Sequence, residues 1–421
     1  MPALLRSVGS HALLAALAFA CVCMNLIYPR NVVFETNLAL GSVSWRLQAL
    51  EDKVVASQSE SARGFERLLN VSASLRRENQ RARDTAIPPL PDADPEFDRQ
   101  FGDICERSSR PPEDEHCVLQ KVAAGPSENI KSCSPFEGGS NALFGLKWCA
   151  WNAREDGHIS QHVLNSTVPP AEVGPMRSFM AALAGKPRGI VVDAGAQVGL
   201  FTAAALASGH YTVSIDARQE HVHMNLASWA INNVTERDGM IVHGALSDRC
   251  GQWATIPREQ QYANNPGATN VVGRVTDGWP RFETRDAFYQ FEKVPVLTLD
   301  HIMQHVMKRL PAGVARKLYA LKLDIEGYEP RAVMGASRLF MHMKPDLIVM
   351  ELFVHRFRDC DAKKLIRSIA RTGYRVDVEA RLHLSCPNNS CKGMTDGPEL
   401  DAFFGRLRNN SEMDILFHRV P

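Results

Sequence analysis

Short apolar runs alternate with helical patterns from residue 189 onward. Seven runs have the length and composition of buried β-strands, at residues 190–192, 211–215, 240–243, 294–297, 318–323, 347–350 and 374–378. Strands that alternate with helices form parallel sheets covered by those helices, because each crossover between parallel strands needs a long connection. Residues 181–421 are therefore predicted to form an α/β domain, with a closing strand at 414–420.

The N-terminal residues have a different pattern. Residues 8–28 carry almost no charge and are flanked by Arg6 and Arg30, and as a helix they would be about long enough to cross a bilayer core. We predict a signal-anchor transmembrane helix within residues 1–30. A cleaved signal peptide is the alternative, because residues 18–20 (Ala-Phe-Ala) form a small-x-small cleavage site.

Residues 31–96 are predicted to form a stem. Apolar residues recur there at steps of three and four, a coiled-coil rhythm that would favour a homodimer. They are Leu40, Val43, Leu47, Leu50, Val54, Leu68, Val71 and Leu75. Ser57, Ser61 and Gly64 weaken the middle of this seam, so an amphipathic or partly disordered stem is the alternative. A proline-rich segment at 87–91 ends any helix.

The composition is that of an ordinary globular protein. Of the 421 residues, 45% are hydrophobic and 23% are charged, so the chain can bury a large core. The formal net charge is +1 and no basic cluster interleaved with aromatic residues occurs, so a nucleic-acid partner is not expected. Residues 97–180 contain only short periodic runs and are predicted to form a loop-rich cap of unassigned role.

The cysteines bear on the compartment in which the chain folds. Beyond residue 30 their number is even, which fits disulfides in an oxidising lumen, with buried free thiols as the alternative. They are Cys105, Cys117, Cys133, Cys149, Cys250, Cys360, Cys386 and Cys391. A bond between Cys386 and Cys391 is predicted, because only a short loop separates them. No Cys-x-x-Cys pair occurs in the sequence, so a structural zinc site is not expected.

Glycosylation motifs point to the same compartment. Five Asn-x-Ser/Thr motifs begin at Asn70, Asn165, Asn233, Asn388 and Asn409. Because such acceptors are used only in the secretory pathway, we predict a single-pass type II membrane protein that faces the lumen of the endoplasmic reticulum or Golgi. A secreted protein is the alternative if the apolar segment is cleaved.

A glycine-containing turn follows the first strand of the α/β domain. Asp193 ends that strand, and Gly195 and Gly199 follow, where the absence of a Cβ lets backbone approach a ligand closely. Asp216 ends the next strand, at a distance suited to binding ribose hydroxyls. The third glycine of a dinucleotide-binding fingerprint is missing and an acid in the turn suits a cation, so we predict S-adenosylmethionine. Glycines needed only for a tight turn are the alternative.

Three sequence blocks together resemble the FkbM family of S-adenosylmethionine-dependent methyltransferases. They are the turn at 189–202, the strand and turn at 321–329, and the run at 345–351. The likeness covers residues 187–374, and its most specific piece is the hexapeptide Asp-Ile-Glu-Gly-Tyr-Glu at 324–329. It implies a Rossmann-like class I methyltransferase sheet, mostly parallel with an antiparallel last strand. It also implies O-methylation, often of sugar or polyketide hydroxyls.

The chain departs from the family pattern at two positions. Gln197 stands where such families usually carry Asn, and Asp216 with Ala217 replaces a more typical Glu-Pro. Both changes keep the chemistry, so Gln197 is still predicted to contact the methionine part of the cofactor and Asp216 its ribose. Ser247 and Asp248 are predicted to hydrogen-bond the adenine amine, with a plain turn as the alternative.

Methyl transfer to a hydroxyl needs an aligned acceptor and help in removing its proton. Asp324, at the end of the strand 318–323, is predicted to be the base, with Glu326 and Glu329 beside it. Such crowded carboxylates could also bind a divalent metal, although no metal ligand is assigned. The alternative is that these acids only cap the next helix or favour its start. For Asp300 a helix cap is predicted.

The sequence as a whole predicts a methyltransferase that acts on a hydroxyl acceptor, with a glycan as the expected substrate. The polar segment 264–270, in an insertion rich in aromatic residues, could form an acceptor-binding lid. Two other functions remain open. One is a catalytically inactive protein that uses the same fold for binding or assembly, and the other is a methyltransferase for a lipid or a small metabolite.

Overall fold

The computed structural model of the protein describes most of the chain from residue 95 onward. The described residues are 95–105, 121–122, 140–151, 156, 159–251, 253–257, 291–357, 360–382, 391–408 and 411–420. The predicted anchor, residues 31–94 of the predicted stem and the segment 264–270 lie outside them. Within the described part, no helix combines the length and the apolar character that crossing a membrane requires.

The described residues form nine α-helices and fourteen β-strands. The helices are α1 (Pro95–Phe101), α2 (Ser160–Leu164), α3 (Val173–Leu183), α4 (Leu200–Ala207), α5 (Gln219–Ile231), α6 (Leu299–Arg309), α7 (Glu329–Met334), α8 (Ala362–Arg371) and α9 (Pro398–Arg406). The strands are β1 (Lys121–Val122), β2 (Ser140–Leu143), β3 (Leu146–Cys149), β4 (Ile190–Ala194), β5 (Tyr211–Asp216), β6 (Gly239–His243), β7 (Ala245–Leu246), β8 (Trp253–Pro257), β9 (Phe291–Leu297), β10 (Leu318–Leu323), β11 (Leu347–Phe353), β12 (Tyr374–Leu382), β13 (Cys391–Met394) and β14 (Glu412–Arg419).

The central element is a nine-stranded sheet in the order β1-β6-β5-β4-β10-β11-β14-β12-β13. The five strands from β6 to β11 in this order are parallel to one another. The last strand, β14, lies antiparallel between β11 and β12. These pairings confirm the mostly parallel sheet with an antiparallel last strand. The edge strands β1 and β13 are antiparallel as well.

Both faces of the central strands β4, β5, β10 and β11 are buried. In β4, Ile190 and Val192 pack into one hydrophobic cluster and Val191 into the other, on the opposite face. Side chains alternate between the faces of a strand, so a strand that is covered on both faces needs apolar residues at successive positions. This requirement explains why continuous apolar runs predict the central strands well.

One predicted strand lies in a different sheet. The apolar run at 294–297 is part of β9, which pairs parallel with β7 and antiparallel with β8 in a separate three-stranded sheet. Its expected place in the main sheet is therefore wrong. An apolar run predicts that a strand forms, but it carries no information on which neighbour completes its hydrogen bonds.

The prediction of a helix cap at Asp300 is also wrong. Helix α6 begins at Leu299, and Thr298 caps it, with Oγ1 accepting a hydrogen bond from His301 N. Since Thr298 occupies the capping position of α6, the Asp300 carboxylate binds the start of a neighbouring helical segment, residues 337–343, instead. It accepts hydrogen bonds from Ser337 Oγ, Arg338 N and Leu339 N.

The described residues before β4 belong to the same hydrophobic cores as the main sheet. Phe101 of α1 packs on Phe340, and Phe179 of α3 meets Phe201 of α4 edge-to-face. Helix α3 runs across the boundary expected at residue 180. We infer that the segments of the expected cap are built onto the α/β domain rather than around a core of their own.

Disulfides are present in the described residues. Cys105, after α1, is bonded to Cys360, before α8. Cys149, Cys250 and Cys391 are disulfide-bonded too. The alternative of buried free thiols is therefore wrong for these five cysteines. The predicted partner of Cys391, at position 386, lies outside the described residues.

Candidate functional site

Acidic residues collect at the carboxyl ends of adjacent parallel strands. Asp193 is the penultimate residue of β4, and Asp216 ends β5. Asp324 follows β10, and Glu351 lies near the end of β11. Ligands of open α/β sheets bind outside this edge. After the roles that the sequence predicts for these strand ends, we call Asp193, Asp216 and the loop 195–199 the cofactor side of the site, and Asp324, Glu326 and Glu351 its acceptor side.

The loop 195–199 requires glycine at both of its ends. Gly195 and Gly199 have φ values of +77° and +89°, in the left-handed region that favours glycine. A Cβ on Gly195 would lie 1.6 Å from the backbone oxygen of Asp324. The loop therefore passes directly against the end of β10, and the two sides of the site are in contact.

Asp193 is buried and supports the loop from below. Its Oδ2 accepts a hydrogen bond of 2.6 Å from Thr202 Oγ1, and its Oδ1 lies 3.8 Å from Lys322 Nζ. Burial raises the pKa of Asp193, although Lys322 and Thr202 oppose the rise. These contacts give Asp193 a role in holding helix α4 and the loop, and its predicted contact with the cofactor stays a prediction.

Asp216 connects the loop to helix α5. Its Oδ2 accepts a hydrogen bond from Gln197 N at 2.8 Å, and its Oδ1 accepts from Arg218 N at 2.8 Å and from His221 Nδ1 at 3.1 Å. Burial raises the pKa of Asp216, but the charge and hydrogen bond of His221, together with the backbone amides of Arg218 and Gln197, outweigh it and hold the pKa below its usual range. A carboxylate has about four acceptor sites. One site on Oδ2 therefore remains for a ligand hydroxyl.

On the acceptor side, acids and side-chain cations are interleaved. Lys322 Nζ lies 3.1 Å from Asp324 Oδ2, and Arg356 forms an ion pair with Glu326. Burial lowers the pKa of Lys322, but the charges of Asp324 and Asp193 outweigh it and raise the pKa. Lys322 is therefore charged at neutral pH.

The three acids of the acceptor side lie close together. Oxygens of Asp324, Glu326 and Glu351 are all within 4.8 Å of one another, a spacing that could hold a divalent cation through oxygen ligands. Lys322 and Arg356 already supply positive charge to two of the three acids. No metal ligand is assigned at this cluster.

Glu329, the first residue of α7, points its carboxylate back at its own loop. Its Oε1 accepts hydrogen bonds from Ile325 N at 2.8 Å and from Gly327 N at 3.2 Å. Burial raises the pKa of Glu329 to about 8, so its protonated form predominates at neutral pH. The contacts show a residue that fixes the turn between Asp324 and α7, and the predicted catalytic role of Glu329 stays a prediction.

The residues predicted to bind adenine make contacts with the small sheet and with α7. Ser247 Oγ donates to Asp248 Oδ1 at 2.9 Å, and Asp248 Oδ2 lies 3.5 Å from Arg331 Nη1. Ser247 N donates to Leu297 O at 3.0 Å. These two residues therefore lie beside the end of β9, whereas the loop 195–199, Asp216 and Asp324 form the centre of the site.

Several residues of the site were not predicted as site residues. Lys322 is the one with a signal in the sequence, because a lysine inside an apolar strand needs a buried partner. Arg356, which pairs with Glu326, has no such signal. Neither have Trp148 and Asn225, which donate hydrogen bonds to carbonyl oxygens of the loop 195–199. Their roles depend on contacts with parts of the chain that are distant in sequence.

Comparison with known protein families gives a match over the central part of the chain. The family model described as Methyltransferase FkbM domain matches residues 193–376, which confirms the predicted resemblance. No curated protein matches the chain.

Several solved structures of methyltransferases are similar at low identity. A Pyrococcus abyssi tRNA (uracil-54, C5)-methyltransferase in complex with S-adenosyl-L-homocysteine is 14% identical, with a TM-score of 0.32. The match covers 68% of this chain and 44% of that one, less than half of its length. For a SAM-dependent methyltransferase from Agrobacterium tumefaciens the identity is 10%, the coverage 67% and 70%, and the TM-score 0.33. For M. jannaschii TYW2 in complex with AdoMet the values are 12%, 67% and 87%, and 0.27.

Proposed function

We propose that the chain, whose residues 193–376 match the FkbM methyltransferase domain, is an S-adenosylmethionine-dependent methyltransferase that methylates a hydroxyl group of a glycan in the lumen of the secretory pathway. The observation that carries the proposal is the contact between the two sides of the site. The loop 195–199 lies directly against the backbone of Asp324. A cofactor held by this loop and an acceptor held near Asp324 would therefore be neighbours.

The cofactor side fits S-adenosylmethionine. The cofactor carries a positive sulfonium, a positive ammonium and two ribose hydroxyls, all of which favour acceptor groups. Asp216 keeps one acceptor site on Oδ2, beside three hydrogen bonds that fix its orientation. We assign Asp216 to the ribose and the loop 195–199 to the methionine part. When bound there, the cofactor supplies the methyl group as a sulfonium substituent.

The acceptor side fits a hydroxyl group that must lose its proton. Asp324 accepts the hydrogen bond of the acceptor hydroxyl and takes its proton as the methyl group is transferred. Lys322 Nζ, at 3.1 Å, favours the ionised carboxylate that this role requires. Glu329 holds the turn that carries Asp324, through its bonds to Ile325 N and Gly327 N. Alignment of the two reactants supplies the larger part of the acceleration.

The disulfides and the exposed glycosylation motifs support the lumenal part of the proposal. Disulfides persist in oxidising compartments, and five of the described cysteines are bonded. Asn165 and Asn233 are exposed at the ends of helices, where an oligosaccharide could be attached. The acids of the acceptor side would repel a polyanion, which supports a neutral acceptor such as a glycan hydroxyl.

The experiment is an acceptor screen with the full-length chain and S-adenosylmethionine carrying a labelled methyl group. The panel contains glycans, lipids and small hydroxylated metabolites. We expect label in a glycan, in a product that resists mild base, because a methyl ether is stable where a methyl ester is not. Label only in a lipid or metabolite would contradict the glycan assignment. Cofactor binding without label in any acceptor would favour the inactive binding protein.

The same assay tests Asp324. Asp324→Asn keeps the shape of the side chain but cannot take the proton, so kcat should fall by about 10²–10⁴-fold while cofactor affinity changes little. Asp346→Asn is the matched control, because Asp346 precedes β11 at the opposite end of the strand and pairs with Lys317. A fully active Asp324→Asn variant would remove Asp324 as the base. With EDTA we expect an unchanged rate, since Lys322 and Arg356 already supply positive charge to two of the three acids.

A further inference from the structure

Three carbonyl oxygens of the loop 195–199 are bound by side chains from three different elements. Gly195 O accepts from Lys322 Nζ of β10 at 2.5 Å, and Gln197 O accepts from Asn225 Nδ2 of α5 at 2.7 Å. Val198 O accepts from Trp148 Nε1 of β3 at 2.5 Å. Buried backbone carbonyls need a partner, and here side chains supply it in place of a strand or helix. The shape of the loop therefore depends on these side chains.

Trp148 differs from the other two donors in its origin. Asn225 and Lys322 lie within the FkbM domain, whereas Trp148 precedes it by more than forty residues. Its side chain is fully buried. A Cβ on Gly199 would lie 2.8 Å from Cζ2 of the Trp148 ring, so the indole also packs against the residue that starts helix α4. One tryptophan thus fixes two successive residues of the loop.

The hairpin formed by β2 and β3 is itself anchored on helix α5. Cys149 N donates to Ser228 Oγ at 2.9 Å. Lys147 and Asn232 exchange two hydrogen bonds, one at 3.0 Å from Lys147 N to Asn232 Oδ1 and one at 2.5 Å from Asn232 Nδ2 to Lys147 O. Helix α5 also carries Asn225, which holds Gln197. The hairpin, α5 and the loop are therefore parts of one connected unit.

We propose that Trp148 is a positioning residue of the cofactor site, which holds Val198 and Gly199 in the geometry that binds the methionine part of S-adenosylmethionine. The proposal rests on the proposed function, because it assumes that the loop binds this cofactor. It gives a role to a segment outside the FkbM domain. A loop that is fixed before binding loses less conformational entropy on binding, so the tryptophan contributes to affinity without touching the ligand.

The test compares two tryptophan-to-phenylalanine variants of the full-length chain. Trp148→Phe keeps an aromatic ring but removes the N–H donor to Val198 O. Trp229→Phe is the matched control, since Trp229 is a buried tryptophan of α5 whose Nε1 has no hydrogen-bond partner in the part of the chain that the structure describes. Both variants are titrated with S-adenosylmethionine by calorimetry, well below their unfolding temperatures. At such temperatures both variants are fully folded, so a difference in stability between them does not change the measured dissociation constant.

We expect Trp148→Phe to weaken cofactor binding about tenfold with unchanged stoichiometry, and Trp229→Phe to weaken it less than about twofold. Hydrogen exchange of the amides in the loop 195–199 should be faster in Trp148→Phe alone. With a saturating cofactor, kcat should change little, so the effect appears in KM. A loss of stability without a change in the dissociation constant would overturn the proposal, as would equal weakening in both variants.

If Trp148→Phe does not fold, 3-benzothienylalanine at position 148 replaces it, because sulfur takes the place of the N–H in a ring of the same shape. The two proposals fail differently in this experiment. A wild-type chain that does not bind S-adenosylmethionine contradicts the proposed function. A wild-type chain that binds it, with a Trp148→Phe variant that binds equally well, contradicts only the role of Trp148.

Discussion

The cofactor side and the acceptor side of the site hold their acids in different ways. Asp193 and Asp216 are buried, and their carboxylates accept directional hydrogen bonds from the loop and the helices that they position. Asp324 and Glu326 are partly exposed, and each is paired with a side-chain cation. Directional bonds suit a surface that binds one ligand of constant shape. Charge pairs tolerate more movement, which suits a surface that receives an acceptor and releases a product.

Lys322 is the residue that belongs to both sides. It donates to Gly195 O, lies 3.8 Å from Asp193 and pairs with Asp324 at 3.1 Å. Lys322→Met leaves the buried carboxylate of Asp193 and the partly exposed carboxylate of Asp324 without their cation, so we expect a loss of about 3–5 kcal/mol of stability, measured by denaturant unfolding. We also expect weaker cofactor binding and a lower kcat, because both sides lose a contact.

The control for this change is Lys317→Met. Lys317 pairs with Asp346 near the surface, just before β10, and its loss should cost about 1 kcal/mol or less. If Lys322→Met changed only the affinity for the cofactor, or only kcat, Lys322 would not join the two sides.

Asp216→Ala isolates the cofactor side. It removes the acceptor assigned to the ribose and also releases Gln197 N, so S-adenosylmethionine should bind at least about 100-fold more weakly, while Asp324 is untouched. Calorimetry on the folded variant measures this change. Asp238→Ala is the control, since Asp238 is partly exposed, pairs with Arg188 and lies outside the site. Unchanged binding by folded Asp216→Ala would remove the assignment of the ribose.

Glu329 gives an effect that appears only when the pH is changed, a dependence of stability on pH. Its pKa is raised from 4.5 to about 8 in the folded chain, chiefly by burial, so the folded state binds a proton that the unfolded state releases. The stability that protonated Glu329 contributes is present below about pH 4.5 and is lost as the pH rises through about 8, by at most about 1.4 kcal/mol per pH unit.

Glu329→Gln is the matched variant for this pH dependence, because glutamine cannot ionise and can accept the same two backbone hydrogen bonds. Between about pH 5 and pH 8, the wild-type chain should lose more stability than the variant. Thermal unfolding of both at a series of pH values measures the difference. Parallel curves would show that Glu329 titrates alike in the folded and unfolded chain.

The central strands could be predicted from the sequence because burial on both faces is a local property. The run Leu318 to Leu323 predicts β10 with its observed bounds, and Asp193, Asp216 and Asp324 follow from the strand ends. The parallel arrangement then brings these acids to one edge. For the same reason the turn at Gly195 could be recognised, since it needs only the residues around it.

The partners of these residues could not be predicted, because they are distant in the chain. Trp148 reaches Val198 across 50 positions, and Cys105 reaches Cys360 across 255. Glu329 shows a second limit. Its proximity to Asp324 could be predicted from the sequence, but the direction of its carboxylate, toward Ile325 N and Gly327 N, depends on the conformation of the turn. Composition and spacing do not contain that information.

The most direct test of the account is a crystal structure of the chain with S-adenosylhomocysteine. The account predicts a ribose hydroxyl within hydrogen-bond distance of Asp216 Oδ2, the amino-acid end of the ligand against the loop 195–199, and the sulfur facing Asp324. A ligand bound elsewhere, or side chains filling the space between the loop and Asp324, would contradict it.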